Sequence, residues 1–152
     1  MKHTHSDTKS VALAATLHCL TGCAIGEILG MIIGTVLHLP KLSTILLSVG
    51  LAFFFGYLLS ILPLLKHGIA PKKALKIVLA ADTLSILAME IVDNAVMALV
   101  PGAMDASLVN PIFWATMPIA LFAGFLAAYP VNLHLLGKGK GHALVHGSLH
   151  HG

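Results

Sequence analysis

Val11 to Leu39 reads VALAATLHCLTGCAIGEILGMIIGTVLHL. The run exceeds the about 20 residues that span a hydrocarbon core of about 30 Å. It shows no alternation of apolar and polar residues, so a helix is indicated and a strand is not. It is also too long for the apolar segment of a cleaved signal peptide, and it contains His18 and Glu27. Three further runs follow: Leu42–Leu65, Ala74–Val100 and Ile112–Leu136. Between them lie Pro40-Lys41, the stretch Lys66 to Lys73, and Pro101-Gly102 through Asn110-Pro111. The expectation is an all-α polytopic membrane protein with four transmembrane helices, at about 11–39, 42–65, 74–100 and 112–136.

Composition agrees with this reading. Of 152 residues, 57% are apolar and 10% charged, and the mean hydropathy is +0.93. A soluble domain carries about 25% charged residues. Disorder, coiled coil and nucleic-acid binding are disfavoured. The pI near 9.0 does not argue for nucleic acid, because the nine basic residues are all Lys. A phosphate-reading surface relies on Arg forks and aromatic platforms.

The lysines set the expected orientation. With four spans, both termini share a side with Lys2, Lys9, Lys66, Lys72, Lys73, Lys76, Lys138 and Lys140, leaving Lys41 alone opposite. Positive charge collects in cytoplasmic loops. The expected site is the bacterial inner membrane with both termini cytoplasmic, residues 1–10 and 138–152 forming the tails.

Four of the six acidic residues fall inside spans: Glu27, Asp82, Glu90 and Asp93. A carboxylate at the bilayer centre costs at least about 2.5 kcal/mol. These groups must therefore face the bundle interior and be protonated, hydrated or bound to a cation. Helix 1 carries two interleaved stripes. Gly22, Gly26, Gly30 and Gly34 allow close backbone approach, and Cys19, Cys23, Glu27 and Met31 share much of the same face. Helix 3 offers Asp82, Met89 and Asp93, flanked by Ser85, Glu90, Asn94 and Met97. If the two helices adjoin, the side chains meet at matched depths, with Glu27 level with Glu90. Helix 4 is apolar until Asn132 and His134, with Pro118 and Pro130 expected to bend it. Helix 2, with Ser48, Ser60 and Pro63, reads as a plain lipid-facing or packing helix.

The donor types narrow the chemistry. The mixture holds thiolate, imidazole, thioether and carboxylate: soft sulfur and nitrogen ligands suit Cu(I) or Zn(II), and carboxylates suit harder ions. His18, Cys19, Cys23, Asp82 and His134 are expected to form an inner site. Glu27, Met89, Glu90 and Asp93 are expected to form a midplane site or proton relay. His3 and His5 in the first tail, and His142, His146, His150 and His151 in the last, would capture or sense metal. Each feature also has a plainer reading as glycine packing, core methionine or a solvated tail. The alternative function is a membrane redox protein: haem between His18 and His134, or a quinone at Cys19 and Cys23.

The residues also carry a resemblance. His18-Cys19-Leu20-Thr21-Gly22-Cys23 with Gly26-Glu27 resembles the first helix of an uncharacterised bacterial family of four-helix integral membrane proteins, a domain of unknown function. Ala81-Asp82, Ser85, Met89-Glu90 and Asp93-Asn94, followed by Pro101-Gly102-Ala103-Met104, resemble its third helix. Phe113-Trp114, Pro130-Val131-Asn132 and Gly139-Lys140-Gly141-His142 with His146 resemble its closing segment. The resemblance implies the fold and the choice of residues, and no activity.

Together these readings give an expected membrane protein that binds and transports a transition-metal cation, copper or zinc, rather than an enzyme. Lipid and metal ion are the expected partners, with a homo-oligomer through the helix 1 glycine stripe.

Overall fold

The computed structural model describes residues 3–137, with the side chains of 8–135. Four helices follow one another: α1 His3–Val36, α2 Lys41–Lys66, α3 Pro71–Leu99 and α4 Pro111–Gly137. The described residues contain no strand. Three helices are long and apolar enough to cross a membrane: α1, α2 and α4. α3 is of similar length but carries Asp82, Glu90 and Asp93, all of them buried. The four helices overlie the four apolar runs and depart from them most at the start of α1. There the helix runs back to His3, because neither Pro nor Gly interrupts residues 3–10.

The connections are locally specified. α2 ends in a left-handed turn at Gly68 (φ 81°). Gly68 N–H donates to the Leu65 carbonyl and Ile69 N–H to the Leu64 carbonyl. Ile69 packs back onto Leu64, which completes a glycine-stopped helix end, and Pro71 then starts α3. α1 ends in the same pattern, Leu39 N–H donating to Gly34 and His38 N–H to Thr35. Here, however, the left-handed position is held by His38 (φ 51°). α4 starts where the Asn110 Oδ1 accepts from Ile112 N–H at 3.0 Å.

The helices close into a ring. α1 packs on α2, α2 on α3, α3 on α4 and α4 on α1, with a narrower diagonal contact between α1 and α3. The glycine stripe makes the first of these seams. An added Cβ at Gly22 would stand 2.5 Å from the Gly56 nitrogen, and one at Gly26 would stand 2.2 Å from that of Ala52. At Gly30 the obstacle is Ser48 and at Gly34 it is Thr44. Backbones this close leave no room for side chains on α1. The stripe on which an oligomer was expected is thus covered within the chain by α2, and it is not free to receive a second copy. α2 is likewise more than a plain packing helix.

Polarity is arranged inside out. Ile91 is 60% exposed while its neighbour Glu90 is 3% exposed. Leu17, Ile32, Leu46, Phe54, Leu84 and Phe122 face outward. Thr16, Ser48, Asp82, Ser85, Glu90, Asp93, Thr116 and Asn132 are buried. An apolar exterior around a polar interior fits lipid as the solvent.

Candidate functional site

The polar residues of α1 and α3 meet across the diagonal of the bundle and form a column along its axis. Because the two helices run parallel, their side chains pair at successive levels. At the end where α2 joins α3, Asp82 lines a cavity of about 230 Å³ together with His18 and Ser60. The His18 Nδ1 lies 2.6 Å from the Ala14 carbonyl, to which its N–H donates. One turn further in, Cys19 Sγ lies 3.8 Å from Ser85 Oγ. The Ser85 hydroxyl donates to the Asp82 backbone carbonyl at 3.2 Å, which leaves the thiol as donor to Ser85.

The next level holds Cys23 against Glu90. Glu27 stands above it, facing both Glu90 and Asp93. Asn94 donates to the Glu90 backbone carbonyl at 2.9 Å. Among the described residues, Glu27 Oε1, both Glu90 carboxyl oxygens and Asp93 Oδ1 have no partner in good hydrogen-bond geometry, although the Cys23 thiol and the Asn94 side chain lie close to Glu90. These oxygens are buried, and no lysine lies at their level. Three carboxyl groups in an apolar interior cannot all ionise without a compensating cation or shared protons. Glu27 and Asp93 also line a small cavity of about 60 Å³ with Met31, Met97 and Met104.

Residues 9–141 match the family model described as Domain of unknown function (DUF4396). The chain belongs to this family. No curated protein and no solved structure matches it. The DUF4396 match takes in α2, α3 and α4 whole and α1 from Lys9, so every residue of the column lies within the family's span. His142 and His146 lie just beyond that span, and the whole 138–152 tail lies outside the described residues. The side chains of His3 and His5 are also outside the described set.

The expected sites are gathered only in part. His18, Cys19 and Asp82 share one end of the column, and Cys23 sits a level away with Glu90. His134 is exposed on α4 and is not among the residues lining the His18–Asp82 cavity. Its neighbour Asn132 turns inward instead, donating to Thr16 Oγ1 at 2.9 Å and tying α4 to α1. Glu27, Glu90 and Asp93 converge as expected. Met89 belongs to the packed core with Ile86 and Ala128, its side chain filling the notch left by Gly124. Among the described residues, no three His, Cys, Asp or Glu side chains are arranged as a ready-made metal-ligating group. The carboxyls feel one another's charge without being drawn into a metal cage.

Two residues escaped the sequence reading, one beside the column and one at the α1–α2 turn. Ser60 on α2 lies beside Asp82 and Cys19. A signal for it exists: Thr44, Ser48, Ala52, Gly56 and Ser60 repeat every four residues, the small-residue counterpart of the α1 stripe. His38 was read only as part of the first apolar run. Its sequence position one turn after Gly34 says nothing of its left-handed backbone.

Proposed function

We propose that this protein is a four-span inner-membrane protein that binds and moves a transition-metal cation, copper or zinc, along the interior column. The observation that carries the reading is the set of four buried carboxyl oxygens on Glu27, Glu90 and Asp93 that no donor satisfies. Burying such groups without partners is costly, and intramembrane carboxylates mark ion pathways. A path needs sites strong enough to admit an ion and weak enough to release it. Carboxyl pairs spaced along a column fit that need better than a closed cage. Cys19 and Cys23 on the same face add soft donors between the carboxyl levels. The metal is cargo in this reading, α3 is the fourth span, and both termini are cytoplasmic.

The test is uptake of Zn(II) and Cu(I) by proteoliposomes holding the purified protein, with elemental analysis of the protein itself. The parent takes up metal; Glu90→Gln and Asp93→Asn, which keep shape and lose charge, lose most of it. Equal uptake by parent, variants and empty liposomes would overturn the reading.

A further inference from the structure

The five methionines among the described residues do not share one environment. Met89 and Met117 are buried among apolar side chains. Met31, Met97 and Met104 instead line the small cavity that holds Glu27 and Asp93. Met31 and Met104 also line a second, wider cavity of about 460 Å³, which opens at the end where α1 joins α2 and α3 joins α4. The two cavities share Met31, Ile45 and Met104 as lining, so thioether groups stand between the wide mouth and the carboxyl cluster. Methionine is normally a flexible filler of gaps. Here it borders cavities on the way to buried, unpartnered carboxyl oxygens.

His38 stands at the wide mouth with Met31 and Met104. Its backbone takes the left-handed conformation at a helix end where glycine is the unstrained choice. A strained non-glycine residue at such a point directs attention to its side chain. An imidazole at the rim, followed by thioethers and then by carboxyls, is a graded donor series from the surface inward. The Lys41–Asp105 ion pair, at 2.6 Å, borders the same mouth.

We propose that His38, Met31, Met104 and Met97 form an entry site for a soft monovalent cation, Cu(I), on the way to the Glu27–Asp93 level. The inference rests on the reading of the interior as a cation path and adds which ion it selects and at which end. Thioether sulfur binds Cu(I) well and is a poor ligand for Zn(II). A Zn(II) path has no use for methionine here, whereas a Cu(I) path gains selectivity from it.

Selenomethionine-labelled protein loaded with Cu(I) gives the direct test, by X-ray absorption at the copper edge. A copper–selenium scattering path is expected, since cysteine cannot supply selenium. It should vanish in Met31→Leu/Met97→Leu/Met104→Leu, a change that conserves volume and keeps the fold. That variant should lose at least tenfold in Cu(I) uptake while retaining Zn(II) uptake. His38→Gly should slow Cu(I) uptake at low metal and leave the fold intact, because glycine suits the left-handed position. A copper shell of oxygen, nitrogen or cysteine sulfur alone would overturn the entry site while leaving the cation path standing. So would equal Cu(I) uptake by the triple variant and the parent. Absence of any metal uptake by the parent would overturn both.

Discussion

The carboxyl of Glu27 on α1 meets that of Asp93 on α3 across the diagonal of the bundle, with Glu90 facing Glu27 from the same side. Two helices that touch along a narrow diagonal are here brought together at carboxyl groups whose charges would repel. The arrangement opposes stability, which is the usual mark of a group retained for what it does.

That conflict predicts the behaviour of Glu90→Gln. Removing a buried charge that no donor satisfies should leave the protein as stable as the parent, or up to about 2 kcal/mol more stable. Cation uptake should fall at the same time. Thermal denaturation in detergent, read beside uptake, checks the pair of outcomes. A marked loss of stability would show that the carboxyl is structural.

Proton competition gives a second signature. A cation entering the Glu27, Glu90 and Asp93 level needs ionised oxygens, and acid supplies the competing proton. Uptake by the parent should therefore weaken as pH falls. Glu27→Gln removes one of the competing groups and should flatten the profile while lowering its height. Profiles of identical shape for parent and Glu27→Gln would detach this carboxyl from the path.

The seam between α1 and α2 gives a purely structural prediction. Gly26→Leu drives a side chain into the Ala52 backbone, 2.2 Å from where its Cβ would begin. Overpacking of this kind costs about 1–3 kcal/mol, and more where backbone is the obstacle. Gly50→Leu on α2 meets nothing within 4 Å and should be silent. Equal melting of the two variants in detergent would remove the seam.

How far the sequence reached can be judged on these residues. That the polar face of α1 meets the polar face of α3 was legible, because helical period fixes which side chains share a face. The register was not: Glu27 was expected level with Glu90, whereas Cys23 stands against Glu90 and Glu27 faces Asp93 as well. Counting from the ends of apolar runs assumes that both helices start at the same depth. The partner of the glycine stripe was not read, since period tells which residues share a face and not which helix covers it. The matching stripe of Thr44, Ser48, Ala52 and Gly56 held that answer. The inward turn of Asn132 and the outward turn of His134 depend on how α4 is rotated about its axis. α4 is so uniformly apolar that no amphipathic stripe announces that rotation. The His38 backbone was beyond reach, because a left-handed helix end is foreseen from glycine or asparagine and histidine is neither.

Orientation supplies the last prediction. The α3–α4 connection carries Val109, 90% exposed, and the α2–α3 connection leads into the exposed Lys72 at the first turn of α3. Lysine sits in abundance at the Lys72 end, with Lys66, Lys73 and Lys76 close by in sequence, while Lys41 is alone at the other. The bias predicts a cytoplasmic Lys72 end. Native Cys19 and Cys23 are fully buried, so an introduced cysteine is the reactive one. A membrane-impermeant thiol reagent applied to whole cells should label Val109→Cys and spare Lys72→Cys, and permeabilised cells should label both. Labelling of Lys72→Cys alone in whole cells would invert the protein in the membrane. The mouth lined by His38 and Met31 lies at the Val109 end, so the same experiment decides which side of the membrane that mouth faces.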